Sequence, residues 1–245
     1  MYVQLCDISI SRIAGLAGYD FVWVDLEHSA ISYETLAGHI LALKSTNTPV
    51  IVRVPQDDLT ATKKVLEMGV DGIIFPMVHN REEADRLIGY TVYPPEGTRG
   101  FGPMGAIDYG FQNAQEYTAK SNLSLCRFIQ VEHKDTIDNM DDILQNPYID
   151  GFVFGPNDLS GSYGMLGKVF SEPISQVVGE TIDKLHQAGK YVTIASGGYT
   201  NEVLEHWERF GPDMLCAGAD FDFIRDGALR NRENLERIHK NKTHI

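Results

Sequence analysis

Glu132 and Asp158 are the two side chains in this 245-residue sequence best suited to chemistry. Each stands just past a short apolar run, in Gln130-Val-Glu132-His133 and in Gly155-Pro-Asn157-Asp158. Two carboxylates with no cysteine and no clear histidine partner suit a hard divalent cation that keeps several waters, namely Mg²⁺ or Mn²⁺. The alternative for Asp158 is that it caps the next helix, as Asp often does. Arg53 closes the run Val50-Ile-Val52. A guanidinium at the end of an apolar strand needs an anionic partner. Two partners fit: a ligand carboxylate gripped by the fork, or a structural ion pair with Asp25 or Glu27. His28 directly follows Asp25-Leu-Glu27, so a general base and a purely structural histidine are both open readings. His133 falls on the opposite face of its strand from Glu132 and is expected outside the site.

Groups so far apart in sequence need a scaffold that brings strand ends together. Eight β-branched or aromatic runs recur: Tyr2–Leu5, Phe21–Val24, Val50–Val52, Gly72–Phe75, Arg127–Val131, Gly151–Phe154, Tyr191–Ile194 and Met214–Ala217. Near-continuous apolar runs suit strands buried on both faces, as in parallel sheets. Amphipathic stretches lie between them, among them 33–45, 59–68, 81–89 and 173–188. Asn80 before Arg81-Glu82-Glu83 reads as a helix start, and Gly18, Gly69 and Gly189 read as helix stops. Eight units in 245 residues are about 31 residues each, the size of a (β/α)₈ barrel. An open doubly wound sheet more often has five or six strands. No linker divides the chain, and one long irregular connection is expected over 93–122, a length that is usually functional. No helix precedes the first strand to plug the barrel floor.

Barrel order also gathers the candidates, because active sites sit at the carboxyl ends of the strands. The ends of strands two, three, five and six carry Asp25, Glu27, His28, Arg53, Gln130, Glu132, Asn157 and Asp158. Alternation puts Phe128, Gln130 and Glu132 on one face, so Glu132 can point into the mouth. Pro76-Met77 after strand four, Ala195 to Gly198 after strand seven and Gly218 to Asp220 after strand eight offer little. The lysines, such as Lys44, Lys63, Lys64 and Lys184, fall on helices or loops, and none ends a strand. Imine chemistry needs a desolvated lysine in the mouth, so a metal is expected as the electron sink.

Other classes lose their markers. Gly100-Phe-Gly102-Pro-Met-Gly105 matches a dinucleotide pattern but follows a loop and contains a proline. No P-loop, HExxH or GxSxG sequence occurs. The 34 acidic against 21 basic residues give a net charge of −13, which repels nucleic acid in the absence of a basic stripe. Three scattered cysteines, Cys6, Cys126 and Cys216, suggest a reducing compartment rather than a disulfide scaffold. With no signal-like start and no long apolar run, a soluble cytoplasmic protein with no membrane contact is expected.

The motifs Asp25-Leu-Glu-His-Ser29, Gly72-Ile-Ile-Phe-Pro-Met-Val78, Tyr93-Pro-Pro-Glu-Gly-Thr-Arg-Gly100, Gln130-Val-Glu132 and Gly155-Pro-Asn-Asp-Leu-Ser160 together resemble the HpcH/HpaI class of metal-dependent pyruvate aldolases. That class includes 4-hydroxy-2-oxoheptanedioate and 2-dehydro-3-deoxyglucarate aldolases, and the resemblance spans residues 10 to 230. It implies a single barrel of the phosphoenolpyruvate/pyruvate-domain type over residues 1–245, with the C-terminal helix swapped between subunits of a homo-hexamer. It also implies reversible cleavage of a 4-hydroxy-2-oxo acid to pyruvate and an aldehyde through a metal-stabilised enolate. By the same resemblance Glu132 and Asp158 hold Mg²⁺, Mn²⁺ or Co²⁺, while Gln130, Asn157 and Asp158 contact pyruvate. Arg53 then stabilises the enolate oxygen, and His28 takes the substrate hydroxyl proton. Glu67 would raise the basicity of His28, within or between subunits. Two departures stand out: Glu67 replaces a shorter Asp, and the N-terminal helix of relatives is missing. Rivals are another carbon–carbon lyase or a decarboxylase on the same site, and a non-catalytic barrel that binds keto acid and metal.

Overall fold

The computed structural model describes residues 1–242; residues 243–245, part of the expected single domain, lie outside them. Strands and helices alternate: β1 (Tyr2–Val3), α1 (Ile8–Leu16), β2 (Val22–Asp25), α2 (Tyr33–Lys44), β3 (Val50–Arg53), α3 (Leu59–Glu67), β4 (Gly72–Phe75) and α4 (Arg81–Gly89). There follow a 3₁₀ segment (Gly105–Gly110), α5 (Ala114–Ser124), β5 (Cys126–Val131), α6 (Lys134–Asp138), α7 (Met140–Ile143), β6 (Gly151–Phe154) and α8 (Pro156–Ser162). The chain continues through α9 (Glu172–Gln187), β7 (Tyr191–Ala195), α10 (Asn201–Glu208), β8 (Met214–Cys216) and α11 (Asp220–Lys242). The eight strands pair in sequence order, β1 to β8, and each pair is parallel. This is the expected (β/α)₈ barrel.

Burial divides the apolar residues into two layers. Trp23, Ile51, Ile74, Phe128, Val153 and Cys216 fill the barrel interior. Alternate strand residues such as Val22, Val24, Val52, Ile73 and Ile129 pack outward against the helices. Strands β2, β3, β4 and β6 are buried at every position, which is why they read as unbroken apolar runs. Side chains of Asp7, Ser32, Asp58, Asn80, Asn113 and Thr200 accept N–H bonds at helix starts, each worth about 1 kcal/mol.

Three aspartates tie the barrel floor. Asp71 accepts the Val50 N–H, Asp150 that of Arg127 and Asp213 that of Val192. The seam between β8 and β1 is held differently. Its backbone contacts are one bridge, Tyr2 to Ala219, and the Tyr2 N–H on the Gly218 carbonyl. The Asp220 carboxylate then accepts the N–H groups of Gln4 and Leu5, standing in for a missing length of ladder.

Two sequence expectations need correction. The first strand stops at Val3 rather than Leu5, because those two N–H groups bond a side chain instead of a neighbouring strand. The connection over 93–122 is not irregular throughout. Asn113 accepts from the Gln115 and Glu116 N–H groups and starts α5. Among the described residues no helix is long and apolar enough to cross a membrane.

Candidate active site

A cavity of about 240 Å³ opens at the carboxyl ends of the strands; its lining includes Tyr2, Trp23, His28, Arg53, Gln130, Asn157, Asp158, Phe221 and Asp222. Seven of the eight strands or their following loops contribute to it, so the fold gathers what the sequence scatters.

Asp25 organises one wall. Its carboxylate is wholly buried and receives Arg53 Nε at 2.8 Å, the Tyr2 hydroxyl at 2.6 Å and Gln4 Nε2 at 3.0 Å. It also accepts the backbone N–H groups of Glu27 and His28, which shapes the turn that carries the histidine. Desolvation pushes the carboxyl up, but the Arg53 guanidinium and the other donors outweigh it, and its pKa ends below the ordinary value.

Arg53 is buried, and the ion-pair partners foreseen for it are both present. Its Nε meets Asp25, and Nη1 lies 3.1 Å from Glu27 Oε2. Nη2 donates to the Tyr2 hydroxyl, and Nη1 lies 3.4 Å from Gln130 Oε1. The guanidinium also sits over the Tyr2 and Trp23 rings. Burial works against its charge, but Asp25 more than compensates and holds it cationic. A fork braced on so many sides meets an incoming anion without reorganising.

Glu132 is buried at the opposite wall. Oε1 accepts the Met77 N–H at 2.6 Å, and Oε2 accepts from Gln130 Nε2. Burial raises its pKa to about 7; the Met77 N–H opposes the rise, and the charges of Glu27 and Asp158 add to it. Glu27 is itself raised, mainly by desolvation and against the pull of Arg53. Its buried Oε2 takes no hydrogen bond. Gly155 permits this crowding, since a Cβ there would lie 3.0 Å from Gln130 Nε2 and 3.3 Å from Glu132 Oε2. Asp158 does not cap α8. Gly155 holds the cap position, and Asp158 lies in the first turn, exposed in the cavity. Excess carboxylate charge and a set of oxygen donors fit a hard cation. Glu132 and Asp158 could hold it together with waters or substrate. Among the described residues no group of three or more His, Cys, Asp or Glu forms a metal cluster, so the fit is that of a pair.

His28 lines the cavity, 62% exposed, with Nε2 3.7 Å from Glu27 Oε2. Asn157 is also in the lining. His133 stays outside, capping α6 and stacked edge-on against His79. Glu67 does not join His28 within the chain. Helix α3 runs away from the mouth, so Glu67, its last residue, stands toward the floor in a separate groove with Tyr33, Lys44 and Met104. The segment Gly100–Gly105 follows no strand, and Gly102 packs on that same Glu67.

Sequence reasoning overlooked Tyr2, Gln4 and Met77, and saw Asp25 only as an ion-pair partner. Tyr2 lies in β1 and Gln4 just past it, a spacing visible in the sequence without the register that gives it meaning. Met77 had no signal, because only its backbone acts. Its φ is 52°, a left-handed conformation that non-glycine residues seldom adopt, and this accompanies the N–H aimed at Glu132.

A family model described as HpcH/HpaI aldolase/citrate lyase matches residues 1–199. A hydroxypyruvate/pyruvate aldolase of Roseobacter denitrificans is 33% identical over 189 residues, 77% of this chain and 74% of that protein. A 5-keto-4-deoxy-D-glucarate aldolase of Escherichia coli is 30% identical over 227 residues, covering 93% and 88%. The crystal structure of an HpcH/HpaI aldolase from Desulfitobacterium hafniense superposes with a TM-score of 0.88 at 23% identity, covering 96% of this chain and 91% of that one; it speaks for the fold.

Proposed function

The chain belongs to the HpcH/HpaI aldolase/citrate lyase family, and we propose that it is a divalent-metal-dependent aldolase cleaving a 4-hydroxy-2-oxo acid reversibly to pyruvate, or a close 2-oxo acid, and an aldehyde. The observation that carries this reading is the pairing, at one barrel mouth, of a braced guanidinium with carboxylates that lack a countercharge. Glu132 and Asp158 would hold Mg²⁺, Mn²⁺ or Co²⁺, which supplies a Lewis acid that polarises the 2-oxo group.

The chain's own groups do the rest. Arg53, fixed by Asp25, Glu27 and Tyr2, offers a preorganised cation to the oxygen on which charge develops, a role typically worth roughly 10²–10³ in rate. Gln130 and Asn157 orient the oxo acid. His28, on the exposed turn beyond β2, accepts the proton of the C4 hydroxyl as the carbon–carbon bond breaks, and returns it in the reverse direction. Among the described residues no lysine lines the cavity, which supports this chemistry over an imine route.

Oligomerisation belongs to the same reading. Helix α11 leaves Ile224, Leu235 and Ile238 exposed. We propose that it packs on a second copy in a homo-hexamer, where Glu67 of one subunit acts on His28 of another. The free, exposed Cys6 and Cys126 suit the reducing cytoplasm. The test is pyruvate release from a panel of 4-hydroxy-2-oxo acids after exhaustive chelation, then with each metal restored. Full activity in excess EDTA would refute the metal role, and no pyruvate from any substrate would refute the aldolase.

A further inference from the structure

Resting on the aldolase reading, we infer that the aldehyde half of the substrate carries no carboxylate: the site takes uncharged, hydroxylated aldehydes, and Asp222 selects them. Among the described residues that line the cavity, Arg53 is the one Lys or Arg side chain. That guanidinium is already shared between Asp25 and Glu27 and serves the 2-oxo acid half. Within one subunit, a second carboxylate on the substrate therefore finds no unpaired cation lining the cavity.

What it finds instead is an acid. Asp222, from the first turn of α11, lines the cavity beside Phe221, with its side chain 16% exposed. Arg225 Nη1 lies 2.9 Å from Asp222 Oδ1, but its Nε lies 2.7 Å from Asp226 Oδ1. One guanidinium facing two carboxylates leaves this rim negative. The start of a helix would otherwise welcome an anion. Here Asp220 and Asp222 already occupy that place, so the helix offers no substitute for a missing cation.

The same carboxylate is well placed to accept hydroxyl groups. Its two oxygens provide about four acceptor directions. Arg225 takes one, and the Ala219 N–H, 3.2 Å from Oδ2, takes another. The remaining lone pairs suit the hydroxyls of a short hydroxyaldehyde. Phe221, 41% exposed, offers its carbon skeleton an apolar edge. Beside it lies the loop after β7, where Gly197 and Gly198 line the cavity with no side chain to obstruct it.

The experiment compares kcat/KM for aldol addition of pyruvate to glyceraldehyde and to succinic semialdehyde, in Mn²⁺, for wild type, Asp222→Asn and Asp222→Ser. The serine variant keeps an oxygen for the Ala219 N–H should the amide disturb the turn. Comparing ratios between proteins cancels the intrinsic reactivities of the two aldehydes. Wild type should favour glyceraldehyde at least tenfold, and removing the charge should shift the ratio toward the carboxylated aldehyde by about tenfold. A wild-type preference for succinic semialdehyde overturns the inference, and so does a ratio that both substitutions leave unchanged. Deuterium exchange into the pyruvate methyl group reads the 2-oxo acid half alone. Exchange with no addition to glyceraldehyde overturns the inference, whereas the absence of both exchange and addition overturns the aldolase reading beneath it.

Discussion

Replacing Glu132 by Gln should change how the metal-free protein responds to pH, by an amount that follows from its burial. The Glu132 side chain is 4% exposed, and its pKa rises from the ordinary 4.5 to about 7. Folding therefore favours the protonated carboxyl. Its contribution to stability is whole below pH 4.5 and is lost as the pH rises through about 7. At about 1.4 kcal/mol per pH unit, the rise corresponds to a loss of about 3 kcal/mol. The Glu132→Gln variant has no such titration. The difference in unfolding free energy, wild type minus variant, should thus fall by about 3 kcal/mol between pH 4.5 and pH 8. Urea melts in EDTA at four or five pH values measure it, and taking the difference removes the titrations that both proteins share. Saturating Mn²⁺ should restore wild type at pH 8 and leave the variant nearly unmoved, because the cation supplies the missing countercharge. Parallel profiles for the two proteins in EDTA would refute the reasoning, since Glu132 would then be no more desolvated folded than unfolded.

Arg53→Lys keeps the charge but loses the fork; cleavage should fall by roughly 10²–10³ with circular dichroism unchanged, and a near-wild-type rate would leave Arg53 as a structural ion pair. Tyr2→Phe removes the hydroxyl shared by Arg53 and Asp25 while the ring keeps its edge-on contact with Trp23. Its kcat should drop about tenfold, in line with one hydrogen bond to a charged group, and an effect confined to KM would count against bracing. His28→Ala should lose on the order of 10²-fold in cleavage but retain most of the pyruvate deuterium exchange, which uses no C4 hydroxyl. Equal losses in both assays would place the histidine in the oxo-acid site instead.

The barrel was legible because each strand announces itself twice, as an apolar run and as a run followed by polar residues. Strands buried on both faces leave few other readings for Val50-Ile-Val52 or Gly72-Ile-Ile-Phe75. The acids and Arg53 were visible for the same reason, as charges placed where an apolar strand stops. What escaped was made of backbone or of small deviations. The Met77 N–H has no side-chain signature, and its left-handed turn is dictated by tertiary context. Helix α5 was hidden inside a stretch rich in Gly, Pro and Asn, where the cap at Asn113 is one polar residue among many. The register of Tyr2 and Gln4 depends on how β1 meets β2, with Tyr2 opposite Trp23, which a lone two-residue strand does not disclose. Whether Glu67 meets His28 within or between subunits stayed open in the sequence, because a resemblance between motifs carries no direction for α3.

The barrel is closed by a clasp rather than by a weld. Where other neighbouring strands share a ladder, β8 and β1 share one bridge and a carboxylate that grips two amides. Such a junction opens at lower free energy than the strands around it, and its amides should exchange with solvent first. The strand that peels away there carries the hydroxyl that steadies Arg53. An opening that draws β1 along with it therefore loosens one brace on the guanidinium, while Asp25 and Glu27 keep their hold. Anything that tightened the clasp, whether a bound substrate touching Tyr2 or a neighbouring subunit pressing on the start of α11, would raise the fraction of molecules armed for turnover. The edge of the barrel would then act as a rheostat on its centre.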